Sequence, residues 1–125
     1  MQLITEPPPG PEQIRSRYDR LIERLRAAAL AAGRDPDGFR IVAVTKGFGV
    51  DVVRAALAAG LTMLGENRVQ EAAVKVEAAP GAEWHMVGQL QANKVRPALR
   101  LFSTIHSVDS VALLERIDRI AHDDG

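Results

Sequence analysis

The sequence contains no cysteine. That single absence excludes disulfides, thiol nucleophiles and thiolate metal sites together. It also lacks an excess of either charge: 16 basic residues balance 16 acidic ones. A nucleic-acid or membrane-surface binder that relies on charge is therefore a poor candidate. No run approaches the 18 or more apolar residues of a membrane span. The opening MQLITEPPPGPEQ has neither the basic n-region nor the long apolar h-region of a secretory signal, so a cytoplasmic protein is the expectation. Lysine is rare, with Lys46, Lys75 and Lys94 the only three among the 16 basic residues. Arginine carries the surface charge, so a lysine inside an apolar run asks for its own explanation. What is present is ordinary: 46% apolar and 26% charged residues exclude wholesale disorder, and 125 residues suffice for one core but not two.

Along the chain, residues 1–11 read as a flexible Pro-rich tail and residues 12–125 as one domain. Ile14, Tyr18, Leu21, Ile22, Leu25, Ala28 and Ala29 recur at helical spacing, with Gly33 as a stop. RIVAVTKG then reads as a strand buried on both faces. The next helix has Asp51 as candidate N-cap and Gly60 as stop. LTMLGEN is a second strand, followed by a helix over 67–79 in which Asn67 and Gln70 have capping-box spacing. EWHMVGQ is a third strand, followed by a helix from about Asn93 with Pro97 in its first turn. LFSTIHS is a fourth. A last helix runs over 109–122, with Val111, Leu114, Ile117, Ile120 and Ala121 on its apolar face. The pattern is an α/β one, a helix followed by four βα units, and it implies a parallel sheet covered by helices.

Ligands of parallel α/β folds bind at the C-terminal ends of the strands. The residues there are Thr45-Lys46-Gly47, Gly65-Glu66-Asn67, His85 with Gly88-Gln89, and His106-Ser107. An ammonium at the end of IVAV is expected to be partly desolvated, which disfavours its charged form and prepares an amine nucleophile. The alternative is a lysine that snorkels to solvent. Asn67 suits a helix N-cap, His85 a satisfied core histidine, and Trp84 a core anchor. Glu66 suits an acid or base, or an ion-pair partner for Arg68 or another arginine. No metal-ligand spacing and no phosphate-loop fingerprint is present, so no metal site is expected.

IVAVTKG, GENRVQE, WHMVGQLQANKVR and IHSVDS stand in the order and spacing of one family. In them the chain resembles the YggS/PROSC-type pyridoxal phosphate homeostasis proteins, similar in fold to the N-terminal domain of alanine racemase. The resemblance runs from the first helix to about Ser110. It implies a pyridoxal 5′-phosphate (PLP) site with Lys46 as the Schiff-base lysine and Asn67 beside the cofactor ring. His85 falls on the histidine of the family's WH motif, and Gly88, Gln89, Asn93 and Lys94 on the segment after it. Arg68 stands where a tyrosine is common, and Gly47 where Thr or Val is common.

The resemblance also implies an N-terminal helix plus four βα units of a (β/α)8 TIM-like barrel, hence a partial barrel, since the whole fold takes roughly 250 residues. The serine and glycine groups that hold the PLP phosphate, and an arginine near the pyridine nitrogen, are implied for the family's C-terminal half. The expected function is thus a PLP carrier or buffer rather than a catalyst, with no catalytic residue assigned and enzymatic activity left open. The chain reads as a truncated fragment with impaired binding. A racemase would need a second base such as a tyrosine, and the sole tyrosine, Tyr18, lies in the first helix. Unpaired half-barrel edges make self-association a further expectation. The alternatives are a flavodoxin-like nucleotide- or phosphate-binding module and a ligand-free structural fragment.

Overall fold

The computed structural model describes residues 7–125. Most of the expected Pro-rich tail, residues 1–6, lies outside them. Pro7 to Gly10 have no regular structure, and Pro11 is already the first residue of α1 (Pro11–Ala31), a position where its missing N–H costs nothing. Then follow β1 (Ala43–Val44), α2 (Val50–Ala58), β2 (Met63–Glu66), α3 (Val69–Ala78), β3 (Glu83–Met86), a 3-10 turn over Ala92–Lys94, α4 (Val95–Leu101), β4 (Thr104–Ile105) and α5 (Val111–Asp124). The expected order of elements is present. Gly33 and Gly60 follow the ends of α1 and α2, as expected. No helix among the described residues is long and apolar enough to cross a membrane.

The four strands form one parallel sheet in the order β1-β2-β3-β4. The order never reverses. With right-handed crossovers, such a sheet carries all its helices on one face. Residue alternation agrees. Ala43, Leu64, Trp84, Met86 and Ile105 point into the layer where α2 to α5 contribute Val53, Ala56, Val69, Ala72, Val95, Ala98, Leu113 and Ile120. Trp84 is buried there, as a core anchor. The other face carries the register row Val44, Gly65, His85, Thr104. Val44 on that face is 45% exposed.

Several local expectations are corrected. The N-cap of α2 is Gly49, and Asp51 lies inside the first turn. The N-cap of α3 is Arg68, with no side-chain cap bond, so Asn67 is displaced from the capping role by one residue. On α1 the half-buried stripe is Ile14, Tyr18, Ile22, Leu25 and Ala29; Leu21 and Ala28 face solvent. On α5 the inward residues are Leu113, Ile117 and Ile120, whereas Val111 and Leu114 are exposed.

Candidate functional site

Lys46 stands two residues past the end of β1. The ladder continues one residue past the strand, with the Thr45 N–H donating to the Gly65 carbonyl at 2.9 Å. Alternation therefore puts Thr45 on the helix side, where it is 3% exposed, and Lys46 and Gly47 form the turn that follows, closed by the Phe48 N–H donating to the Thr45 carbonyl at 3.1 Å. Lys46 is exposed, so the desolvation expected from its apolar run is not supplied by these residues. The run is short, and one face of it is open. Among the described residues Lys46 forms no ion pair.

Behind Lys46, in the helix–sheet layer, stands a buried charged cluster. Glu66 at the end of β2 has a fully buried side chain, and that of Lys75 on α3 is 4% exposed. Lys75 Nζ donates to Glu66 Oε1 at 2.9 Å, to Glu71 Oε1 at 3.1 Å and to the Thr45 carbonyl at 2.8 Å. All three ammonium protons are thus used. Thr45 Oγ1 donates to Glu66 Oε2 at 2.5 Å, and the Gly47 N–H donates to Glu71 Oε1 at 3.1 Å. The Gly47 N–H, and next the Lys75 ammonium, hold the Glu71 carboxyl below its ordinary range. Gly47 has a φ of +79°, in the left-handed region that glycine enters freely. A Thr or Val there would be strained, which gives a physical reason for the glycine after the lysine.

Asn67 follows β2 and packs its backbone against Gly88 beyond β3. A Cβ on Gly88 would stand 2.6 Å from the Asn67 carbonyl oxygen. The absence of a side chain is what lets the two strand ends approach. Above this contact lies a cavity of about 550 Å³, lined by Asn67, Arg68, Gln89, Gln91 and Lys94 among others. Lys46 does not line it. It opens between the N-terminal turns of α3 and the 3-10 turn, so Asn67 borders it without joining it to Lys46.

His85 is 5% exposed, yet it lies on the open-face row rather than in the helix-side core. Its Nδ1 is 2.9 Å from Nε2 of His106, and its Nε2 is 3.2 Å from Glu83 Oε2. Glu83 also accepts from Arg40 Nη2 at 3.2 Å. Both ring nitrogens are engaged, and His106 stacks on the ring at 5.2 Å between centroids. The structure thus places Lys46 in the turn after β1, Asn67 just after β2, and His85 within β3 on the row of Val44 and Gly65. Tyr18 sits at the opposite end of the sheet, lining a cavity with Ile41, Thr62 and Met63 at the strand starts. Among the described residues no three His, Asp or Glu gather as a metal site.

Glu66 does form an ion pair, but with Lys75 rather than with an arginine. Lys75 is the residue that sequence reasoning missed. Its signals were its rarity, its place in the apolar AAVKVEAA and the i,i+4 spacing from Glu71.

No family model matches the chain. Curated proteins do match it. A pyridoxal phosphate homeostasis protein of Synechocystis is 42% identical over 91 residues, covering 70% of this chain and 42% of that protein. Its Pseudomonas aeruginosa counterpart is 45% identical over 96 residues, covering 75% and 42%. Among solved structures, PipY of Synechococcus elongatus with PLP bound matches with a TM-score of 0.69 and 44% identity, over 84% of this chain and 50% of that one. A protein of unknown function from Bifidobacterium adolescentis matches with a TM-score of 0.82 and 35% identity, over 92% and 52%. The chain spans about half the length of these relatives. By sequence and by fold, the chain is similar to pyridoxal phosphate homeostasis proteins, with partial coverage that fits their N-terminal half.

Proposed function

We propose that the chain binds PLP through a Schiff base on Lys46 and acts in cytoplasmic PLP homeostasis as a carrier rather than a catalyst. The observation that carries this is the exposed Lys46 just past the C-terminal end of β1, without an ion pair among the described residues, in a chain similar to a protein solved with PLP bound. When bound, PLP supplies an aldehyde that accepts a primary amine. Lys46 Nζ would form the C=N bond to that carbon with release of one water. Asn67, freed from capping, offers its amide just past the end of β2. His85 shapes the floor of the open face, with its ring orientation fixed by His106 and Glu83. Lys75 of α3, whose ammonium reaches the end of β1, is spent on buried partners, so among the described residues Lys46 is the lysine there without an ion pair.

The four βα units fit part of a (β/α)8 barrel. Their unreversed order supports this over a flavodoxin-like module, which needs a topological switch point. The position of Tyr18 at the far end of the sheet argues against racemase chemistry by this chain. The open sheet edges suit association with a second copy.

Titration with PLP, borohydride reduction and peptide mapping test this. The expected result is label on the Lys46 peptide at high PLP, lost in Lys46→Ala. Absence of label there overturns the site.

A further inference from the structure

We propose that Lys75, Glu66 and Glu71 are positioning residues for Lys46, fixing the backbone on both sides of it; this rests on the assignment of Lys46 as the PLP lysine. Where the cluster's hydrogen bonds end decides the matter. The Thr45 carbonyl belongs to the peptide unit entering the Lys46 Cα, and it accepts from Lys75 Nζ at 2.8 Å. The Gly47 N–H belongs to the peptide unit leaving that Cα, and it donates to Glu71 Oε1 at 3.1 Å. With both peptide planes held, φ and ψ of Lys46 are held, and with them the direction of its Cα–Cβ bond. Only the side-chain rotors remain to be ordered when the amine meets an aldehyde.

The same cluster ties the two held groups to each other. Glu71 Oε1 accepts from both the Gly47 N–H and Lys75, and Glu66 accepts from both Lys75 and the Thr45 hydroxyl. The strand end of β1, the strand end of β2 and the first two turns of α3 are thereby locked as one unit.

Packing alone does not call for this arrangement. Burying an ammonium and a carboxylate in a helix–sheet layer carries a desolvation penalty that an apolar pair of similar volume avoids. Neighbouring positions in the layer are filled by Leu64, Val69 and Ala72, which need no partners. A charged cluster at this one place gives the layer something those residues cannot: directional contacts to named backbone atoms around Lys46. The cluster touches neither the open face nor the Lys46 amine. Its action is on geometry, which is where small displacements cost reactivity.

The test uses Glu71, whose side chain is 35% exposed, so that Glu71→Ala keeps the core and a good helix former. The full chain is treated with PLP and borohydride, and labelling of Lys46 is measured relative to Lys94 in the same sample. Amide exchange at Gly47 is measured separately without PLP. Glu71→Ala is expected to lower the Lys46-to-Lys94 ratio by about tenfold and to speed Gly47 exchange. Glu71→Gln keeps an acceptor oxygen and is expected to restore both. An unchanged ratio in folded Glu71→Ala, with wild-type Lys46 labelled, overturns the positioning role alone. Should Glu71→Ala not fold, Glu71→Asp decides by the same ratio, since it keeps the charge but shortens the reach. No label on wild-type Lys46 overturns the PLP assignment, and the positioning role with it.

Discussion

Glu71 is the member of the charged cluster that solvent can reach, and its ionisation ties the cluster to pH. Its folded-state value is depressed first by the Gly47 N–H and then by Lys75. A depressed carboxyl contributes stability that is present above its unfolded value, about 4.3, and lost as pH falls through the lower folded value. Partial exposure screens the contribution, so it is modest. The stability difference between wild type and Glu71→Gln should therefore shrink on acidification below the ordinary glutamate range. Urea unfolding at stepped pH reads this directly, and a difference that stays constant with pH would remove Glu71 ionisation from the account. At this scale, the positions of Lys46 and Asn67 after strands and of His85 within one were legible because strands can be found from apolar runs. Lys75 was not, because its partners Glu66 and Thr45 lie nine and thirty residues away. Only the fold brings them together. The exposure of Lys46 was also hidden, since an apolar run does not say which of its faces is covered.

At the scale of elements, α5 shows what periodicity leaves open. Two stripes on it have helical spacing: Val111, Leu114 and Ala121, and Leu113, Ile117 and Ile120. The second faces the core because α5 packs on α4, and Arg116 Nε donates to the Ala92 carbonyl at 2.7 Å from the flank of that contact. The start of the helix is set by Ser110, whose Oγ accepts from the Leu113 N–H at 3.1 Å. Asp109, one residue earlier, was the expected start; in the structure it is Ser110 whose oxygen reaches the first turn. Ser110→Ala should cost about 1 kcal/mol, seen as a lower urea midpoint with unchanged slope. A midpoint within error of wild type would show the α5 terminus to be held by packing alone. The alternation of strands and helices, by contrast, was legible throughout, because each apolar run is bounded by glycine or a polar cluster.

At the scale of the molecule, the sheet has one covered face and two edges. Among the described residues, β1 and β4 each pair on one side only. Their outer edges carry unpaired backbone groups, which is the condition under which a sheet recruits another strand. Beside β1, Val44 is 45% exposed and Phe48 47% exposed, so apolar surface adjoins the free edge. Two copies meeting there would satisfy backbone groups and cover Val44 and Phe48 in one step. Both edge strands are only two residues long, so the backbone contribution is small and the apolar part must carry much of the association. A lysine on an edge strand opposes such pairing, since its charge would have to be buried against the second copy. Wild-type chain should therefore show a sedimentation coefficient that rises with concentration, and Val44→Lys a flat one. A wild-type coefficient that stays at the monomer value throughout would rule out pairing through this edge, and the exposed Val44 and Phe48 would then have no second copy as their cover.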